Sequence, residues 1–338
     1  MKPIDNKPQL LALEVTRRCK FNCRHCRANA STSCADDLTT DQWKKIISSI
    51  ADFQKCVIIM TGGEPTERGD ILELISHSRD LGLRVVMATC GYSINEISIS
   101  ELKHVGIMAI SFSLDGATAA QHDSFRQTPG AFEIVKKATA ITKQAGLRFQ
   151  INTTISKLNI DQVPQIYQLA RQMGAHCFNP FILVPTGRAS QMADAIIDPA
   201  QYEKLLHDLL KLKQNSDIEV RVTCGPQFAR VAKQNSDLHA NGCMGGRGFG
   251  FISHRGDIQT CGFLDISAGN LTENNYNFAD IWLNSKFLND IRNPKKYQGQ
   301  CGQCKFLAAC GGCRARAFTA TGNHLASDPV CDYKHDPD

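Results

Sequence analysis

The chain has 338 residues, of which 42% are hydrophobic, so it is long enough for about two domains with a sizeable core. Lys and Arg number 38 and Asp and Glu number 33, which gives a formal net charge of +5. The composition excludes a collagen, a disordered tail and a small disulfide scaffold. It is far from a nucleic-acid-binding composition, and the mild positive charge suits an anionic small molecule.

Fifteen cysteines are the unusual feature of this composition. The N-terminal segment shows no export signal, so we expect the thiols to bind metal or to do redox work rather than to form disulfides. No uninterrupted apolar stretch reaches the ~18 residues of a transmembrane helix, so we expect no membrane contact.

Short apolar runs alternate with longer amphipathic patterns in the first two thirds of the chain. The runs predict strands at residues 10–16, 56–61, 83–89, 106–114, 147–155 and 177–184. The amphipathic patterns predict helices at 40–53, 70–81, 95–104, 130–145, 161–173 and 199–214. Six parallel βα units predict an α/β fold, a partial (β/α)6 TIM-type barrel; an open doubly wound sheet is the alternative. In both, catalytic groups belong at the carboxyl ends of the strands.

The pattern changes after a predicted strand at 218–223. Glycine-rich turns and two short predicted strands, 248–254 and 258–260, follow, and eight of the fifteen cysteines lie from Cys224 onward. A small loop-rich region of this kind buries little apolar surface, so bound metal is expected to hold it together. We therefore predict a barrel domain at 1–223 and a cysteine-rich domain at 224–338.

The first cysteine cluster follows the first predicted strand directly. Cys19, Cys23 and Cys26 have the spacing C-x3-C-x2-C. Three thiolates at this spacing can hold three irons of a [4Fe–4S] cluster and leave the fourth iron free to bind an amine and a carboxylate. Zinc is the alternative; a structural zinc ion usually takes four ligands, for which Cys34 is the candidate.

Two further motifs end predicted strands, and with the cysteine cluster they resemble the radical S-adenosylmethionine (SAM) superfamily. The second strand ends in Gly62-Gly63-Glu64-Pro65, and the fourth ends in Ser111-Phe112-Ser113-Leu114-Asp115. The resemblance implies that backbone groups and the Glu64 carboxylate receive the SAM amino group. It also implies contacts to the SAM carboxylate and ribose from Ser113, Asp115, Arg126 and Asn152. A hydroxyl and a guanidinium are suitable partners for a carboxylate in any case.

In that superfamily one electron from the cluster cleaves SAM to methionine and a 5′-deoxyadenosyl radical, which abstracts hydrogen from an unactivated carbon. The sequence departs from its relatives at Ala88-Thr89-Cys90-Gly91, where they usually carry Thr-Asn-Gly. We interpret Cys90 as a small packed residue rather than a ligand. Cys56 and Cys177 lie within apolar predicted strands, where we expect core packing.

The second cysteine cluster resembles the SPASM extension of radical SAM enzymes, although its last internal spacing is x2 instead of x3. Its cysteines are Cys243, Cys261, Cys301, Cys304, Cys310, Cys313 and Cys331. The resemblance implies one auxiliary [4Fe–4S] cluster on Cys301, Cys304, Cys310 and Cys331. A second is implied on Cys243, Cys261 and Cys313, completed by Cys224 or by a substrate, or else absent. A zinc ribbon is the alternative, because two C-x2-C pairs also make a zinc tetrad.

Several stretches look like the AhbD-type haem synthases of the alternative, sirohaem-dependent pathway. They are 14–18, 25–28, 149–155, 183–188 and 301–322. That resemblance implies oxidative decarboxylation of two propionates of iron-coproporphyrin III to vinyl groups, with an auxiliary cluster as electron sink. The carboxylates of this anionic tetrapyrrole need cationic anchors; Arg188 is the candidate, ahead of Arg247 and Arg314.

Two other function classes stay open. One is a radical SAM maturase acting on a ribosomal peptide or protein side chain, and the other is a non-catalytic iron–sulfur or zinc scaffold. The short segment before Cys19 holds no peptide-recognition domain, which favours a small substrate. We expect a ferredoxin- or flavodoxin-type electron donor, no nucleic acid partner, and an anaerobic cytoplasm, because an open iron site is oxygen-labile.

Overall fold

The computed structural model describes residues 6–235 and 240–334. Its strands are β1 (Leu10–Thr16), β2 (Val57–Gly62), β3 (Arg84–Thr89), β4 (Ile107–Ser113), β5 (Arg148–Ile155), β6 (Cys177–Ile182), β7 (Glu219–Val220), β8 (Phe249–Ile252) and β9 (Ile258–Gln259). Its helices are α1 (Thr40–Phe53), α2 (Ile71–Asp80), α3 (Glu96–His104), α4 (Ala119–Arg126), α5 (Ala131–Gln144), α6 (Val163–Met173), α7 (Pro199–Gln214), α8 (Gln227–Asn235), α9 (Phe278–Asn284), α10 (Lys286–Arg292), α11 (Gly299–Gly302), α12 (Leu307–Cys310) and α13 (Arg314–Thr321).

The strands form one sheet in the order β7-β6-β5-β4-β3-β2-β1-β8-β9. Strands β1 to β7 pair in parallel, each with its neighbour in sequence. Helices return the chain between successive strands, as parallel pairing requires. The predicted partial TIM-type barrel is therefore confirmed, and the carboxyl ends of its strands lie along one rim.

Local sequence explains where α1 begins and which face it buries. The Thr39 side chain accepts from the Gln42 backbone, and the Gln42 side chain accepts from the Thr39 backbone, which is a capping box. Trp43, Ile46 and Ile50 then recur at helical spacing and are fully buried. The capping box and this apolar face place α1 against the sheet at the predicted bounds.

The cysteine-rich region is more closely joined to the barrel than its sequence indicates. Strand β8 pairs in parallel with β1, with Phe251 opposite Ala12 and Ile252 opposite Leu13, and β9 pairs antiparallel with β8. These strands cover the edge of β1, which would otherwise expose unpaired backbone groups. The domain division at residue 224 stays a prediction.

Helix α4 was not predicted, because its Ala-Ala-Gln-His-Asp-Ser sequence lacks an apolar period. It carries His122 and Arg126 to the rim of the barrel, where both are buried. In the part of the chain that the structure describes, no helix is both long and apolar enough to cross a bilayer.

Candidate functional site

The cysteine loop, residues 19–26, leaves the carboxyl end of β1 and lies over the rim of the barrel. Cys19 and Cys23 are buried and Cys26 is half-buried, in an apolar pocket that they share with Phe21 and Ala28. The Phe21 backbone N–H donates to Cys19 Sγ at 3.4 Å, and Arg126 Nη1 donates to Cys23 Sγ at 3.7 Å. Donors of this kind stabilise thiolates that bind metal.

The loop after β6 supports the cysteine loop through hydrogen bonds to its backbone. The Arg188 backbone N–H donates to Cys26 O at 2.9 Å, and its guanidinium donates to Cys23 O and Ala30 O, both at 2.8 Å. Its Nη2 is buried and has no hydrogen-bond partner among the described residues. Arg188 thus fixes the shape of the cysteine loop; its role as a substrate anchor stays a prediction.

The predicted Gly-Gly-Glu-Pro segment approaches the end of β1 closely. A Cβ on Gly62 would lie 2.1 Å from Thr16 O, and one on Gly63 would lie 2.3 Å from Arg18 O. Gly62 also has a φ of +146°, which disfavours any side chain. Both positions therefore require glycine, and Pro65 follows as the first residue of a 3-10 helix.

Glu64 is fully buried, and the residues around it orient its carboxylate. Thr89 Oγ1 lies 2.8 Å and 2.7 Å from its two oxygens, and Thr66 donates from its hydroxyl at 2.8 Å and from its backbone at 3.2 Å. The Cys90 backbone N–H donates at 2.8 Å. A carboxylate held this firmly is suited to receive an ammonium group at a fixed place.

Asp115 and Arg126 form a buried ion pair at 2.5 Å beside the cysteine loop. Asp115 Oδ1 also accepts from the Thr154 backbone at 2.7 Å. On the neighbouring strand, Asn152 Oδ1 accepts from Gln150 at 2.8 Å and from Asn179 at 3.3 Å. Ser113, Asp115, Arg126 and Asn152 therefore lie at one rim, and the structure pairs two of them with each other.

Eight cysteines of the C-terminal region fall into two sets. The first auxiliary set is Cys224, Cys243, Cys261 and Cys313; burial raises the pKa of Cys224, and the thiols of Cys313, Cys261 and Cys243 raise it further. The second auxiliary set is Cys301, Cys304, Cys310 and Cys331, which line one cavity together with Arg230 and Tyr333. The sequence left the fourth member of the first set open, and the structure places Cys224 there.

The spacing of these thiols tests whether a single ion fits them. Among the described residues, one group of His, Cys, Asp or Glu brings three ligand atoms within 4.8 Å of one another, and it is Cys34, Asp37 and His254. No three thiols of the cysteine loop or of either auxiliary set form such a group among the described residues.

A polar cavity that the sequence did not predict lies beside the cysteine loop. Its lining includes Arg17, Arg27, Asn29, Thr186, Gln259 and Asp265. Arg17 and Arg27 both pair with the fully buried Glu14, at 3.3 Å and 3.0 Å. Burial alone would raise the pKa of Glu14, but Arg27, His254 and Arg17 lower it to about 2.

Arg17 and Arg27 flank the cysteine motif in the sequence. Nothing in their spacing distinguishes them from ordinary charged surface residues, so the sequence did not predict this cavity. Of the other predicted anchors, Arg247 donates to Ile291 O at 3.2 Å. Arg314 donates to Ala326 O at 2.6 Å and approaches Cys301 Sγ at 3.6 Å, which places it beside the second auxiliary set. Cys56 and Cys177 are buried in the core, as predicted.

Comparison with known proteins agrees with this geometry. An AdoMet-dependent heme synthase from Methanosarcina barkeri is 38% identical over 99% of this chain and 99% of its own length. An Fe-coproporphyrin III synthase from the same organism is 30% identical over 97% of this chain and 88% of its own. The crystal structure of Streptococcus suis SuiB bound to precursor peptide SuiA shares the fold, with a TM-score of 0.78 at 18% identity, covering 97% of this chain and 76% of that one.

Two family models match separate parts of the chain. The model of an iron–sulfur cluster-binding domain, SPASM, matches residues 243–305, which hold four of the eight C-terminal cysteines. The model of the radical SAM superfamily matches residues 13–170, which hold the cysteine loop, Glu64, Asp115 and Asn152. With the rim geometry and the end-to-end similarity to a heme synthase, the chain belongs to the radical SAM superfamily and carries a SPASM iron–sulfur region.

Proposed function

We propose that the chain oxidatively decarboxylates two propionates of iron-coproporphyrin III to vinyl groups and so forms haem b. One observation carries the proposal: a cavity lined by Arg17 and Arg27 lies directly beside the cysteine loop. This arrangement occurs in a chain that is similar to an AdoMet-dependent heme synthase over almost its full length. Guanidinium groups next to a radical source are what an anionic tetrapyrrole requires.

The residues of the rim fit SAM and a cluster. Cys19, Cys23 and Cys26 would hold three irons, and Glu64 would receive the SAM amino group beside the fourth. Gly62, Gly63 and Pro65 shape that approach. Ser113, Asp115, Arg126 and Asn152 would contact the SAM carboxylate and ribose. When bound, SAM and the cluster together supply a 5′-deoxyadenosyl radical, which takes one hydrogen atom from the β-carbon of a propionate.

The cavity residues position the substrate. Glu14 engages Nε of Arg17 and Nη1 of Arg27, which orients both guanidinium groups and leaves their other nitrogens for propionate oxygens. The Arg27 guanidinium also stacks on Phe251, 4.5 Å from the ring centroid, so its plane is fixed. A fixed donor loses little entropy when it binds a carboxylate.

The atom and electron balance explains the auxiliary cysteines. Each propionate loses one hydrogen atom, one CO2 and one electron to become a vinyl group, so an electron acceptor is needed. The first and second auxiliary sets would hold iron–sulfur clusters, which supply such an acceptor. An electron donor of the ferredoxin or flavodoxin class and an anaerobic cytoplasm complete the proposal.

The maturase alternative rests on weaker support. The likeness to SuiB, at 18% identity, extends to the fold alone. Identity to the heme synthase is 38%, whereas identity to a mycofactocin maturase MftC from Mycobacterium tuberculosis is 31% over 97% of this chain and 84% of its own length. The higher identity to the heme synthase favours a tetrapyrrole substrate. The scaffold alternative does not account for the orientation of Glu64 by Thr66, Thr89 and Cys90.

The test is an anaerobic turnover assay. The chain is loaded with iron and sulfide, supplied with SAM and dithionite, and mixed with iron-coproporphyrin III. We expect 5′-deoxyadenosine together with porphyrin masses that correspond to one and then two decarboxylations. Cys19→Ala should yield neither product. Formation of 5′-deoxyadenosine with an unchanged porphyrin would refute the substrate, and an inert wild-type chain would refute the radical chemistry.

A further inference from the structure

A group of three potential metal ligands lies outside the cysteines assigned to the clusters. Cys34, Asp37 and His254 bring a sulfur, a carboxylate oxygen and a ring nitrogen within 4.8 Å of one another. Cys34 Sγ donates to Asp37 Oδ1 across 2.9 Å. The three residues come from two distant segments, the loop before α1 and the turn after β8, and the proposed function assigns none of them as a ligand of a cluster, of SAM or of the substrate.

The contacts of His254 prepare its ring to bind a metal. The side chain is 3% exposed, and its Nδ1 lies 3.1 Å from Glu14 Oε2. Glu14 Oε2 also lies 3.3 Å from the His254 backbone N–H, so this carboxylate holds the residue at two places. Among the described residues, Nε2 makes no hydrogen bond. A histidine whose other nitrogen donates to a carboxylate is the usual arrangement at protein metal sites.

The carboxylate of Asp37 is oriented in the same way. Its Oδ2 accepts a short hydrogen bond from Thr16 Oγ1, and its Oδ1 accepts from the Arg17 backbone at 3.3 Å. Hydrogen bonds from other groups therefore orient two of the three potential ligands, as is usual for metal-binding side chains.

We propose that Cys34, Asp37 and His254 bind one zinc ion, which is separate from the iron–sulfur clusters. Zinc binding displaces the Cys34 thiol proton, now donated to Asp37, into solvent, so a thiolate and a carboxylate balance the charge of +2 and the imidazole binds as a neutral ligand. Thiolate with imidazole is a ligand combination that zinc favours. Three protein ligands leave a fourth position for water.

The zinc ion ties the loop before α1 to the C-terminal region. One backbone bond already joins these segments, from Leu38 N to His254 O at 2.9 Å. The ion adds a link through the side chains of Cys34, Asp37 and His254, the last of which contacts Glu14. It therefore holds His254 against the carboxylate that orients Arg17 and Arg27.

Metal analysis of the cluster-loaded chain tests the proposal. After anaerobic incubation with zinc and removal of unbound metal, we expect about one zinc per chain in addition to the iron. Asp37→Asn and His254→Gln should lose the zinc while they keep the iron. Asp36→Asn is the matched control, because Asp36 is its neighbour in sequence but pairs with Arg255 at the surface; it should keep the zinc.

Cobalt(II) binding to the wild-type chain gives a readout that does not require any variant to fold. One equivalent added to the cluster-loaded wild-type chain should produce a thiolate-to-cobalt charge-transfer band, and Cys34→Ser should abolish the band. The proposal is refuted if the wild-type chain binds neither ion. It is equally refuted if Asp37→Asn holds as much zinc as Asp36→Asn. Neither result affects the proposed decarboxylation, which the porphyrin assay tests separately.

Discussion

Cys90 donates two hydrogen bonds to the same oxygen of Glu64, from its backbone N–H at 2.8 Å and from its thiol at 2.9 Å. Its side chain is buried against Cys19. Burial raises the pKa of Cys90, so the thiol keeps its proton, and contact with Cys90 lowers the pKa of Cys19. The residue that departs from the usual Thr-Asn-Gly therefore supplies the donors that orient Glu64.

Removal of the thiol is expected to weaken SAM binding without loss of iron. Cys90→Ala removes one hydrogen bond to a carboxylate, which costs about 1.5 kcal/mol. We expect the Kd for SAM to rise about tenfold. Cys90→Ser keeps a donor and should stay within about twofold. Equilibrium dialysis of SAM against the cluster-loaded variants measures both values.

Cys56→Ala is the control, since it removes a buried thiol far along β2 from Glu64 and should leave the Kd unchanged. Iron content provides the second readout. If Cys90→Ser lost iron in the same proportion as Cys19→Ser, Cys90 would be a cluster ligand, and its assignment as a positioning residue would be wrong.

The sequence predicted what depends on local patterns. Apolar periodicity predicted the strands of the barrel and helix α1, which begins at the Thr39–Gln42 cap. The C-x3-C-x2-C spacing and the Gly62-Gly63 pair predicted the motifs at the rim. Residues that tertiary structure brings together were beyond it. The sequence offered Cys224 as one possible completion of the first auxiliary set but could not choose it, because the other three cysteines lie in distant segments. Arg27 and His254 carry no spacing signal, because only the folded chain brings them to Glu14. Helix α4 was not predicted because its sequence is mostly polar and lacks an apolar period, although it buries Arg126.

Cys224 is expected to be the fourth ligand of the first auxiliary set. The structure places it near Cys243, Cys261 and Cys313, and its backbone has a φ of +58°, which is uncommon for a residue other than glycine. Cys224→Ala should lower the iron content by up to one cluster, about four irons per chain. Iron and sulfide analysis with Mössbauer spectroscopy measures the loss. Cys177→Ala, in the core of β6, should lose none; full iron in Cys224→Ala would show that another group completes the site.

Arg17 is expected to contribute to substrate binding more than to the chemical step. Arg17→Gln removes one guanidinium from the cavity, while Arg27 and His254 still pair with Glu14. A charge-assisted hydrogen bond is worth about 1.5 kcal/mol or more, so KM for iron-coproporphyrin III should rise about tenfold. Initial rates of porphyrin decarboxylation measure KM and kcat. Arg18→Gln is the matched control at the next, exposed position; an equal rise in both variants would mean that the cavity does not bind the propionates.

The stability of the chain should fall below pH 6.5 because of His122. Burial, with Arg126, lowers the pKa of His122 to about 3, and its Nδ1 accepts from the Asp115 backbone N–H at 3.0 Å. As the pH falls through 6.5, His122 takes up a proton in the unfolded chain but not in the folded chain. The free energy of unfolding should therefore drop by ~1.4 kcal/mol per pH unit from this residue.

His122→Asn keeps an acceptor for the Asp115 N–H but cannot titrate, so its unfolding free energy should depend less steeply on pH. Anaerobic urea unfolding at pH 7.0, 6.0 and 5.5, followed by tryptophan fluorescence, gives the two slopes. The difference between wild type and His122→Asn should be near 1.4 kcal/mol per unit below pH 6.5. His104→Asn, at the exposed end of α3, should keep the wild-type slope. Parallel slopes for wild type and His122→Asn would mean that His122 gains its proton in the folded chain as readily as in the unfolded one.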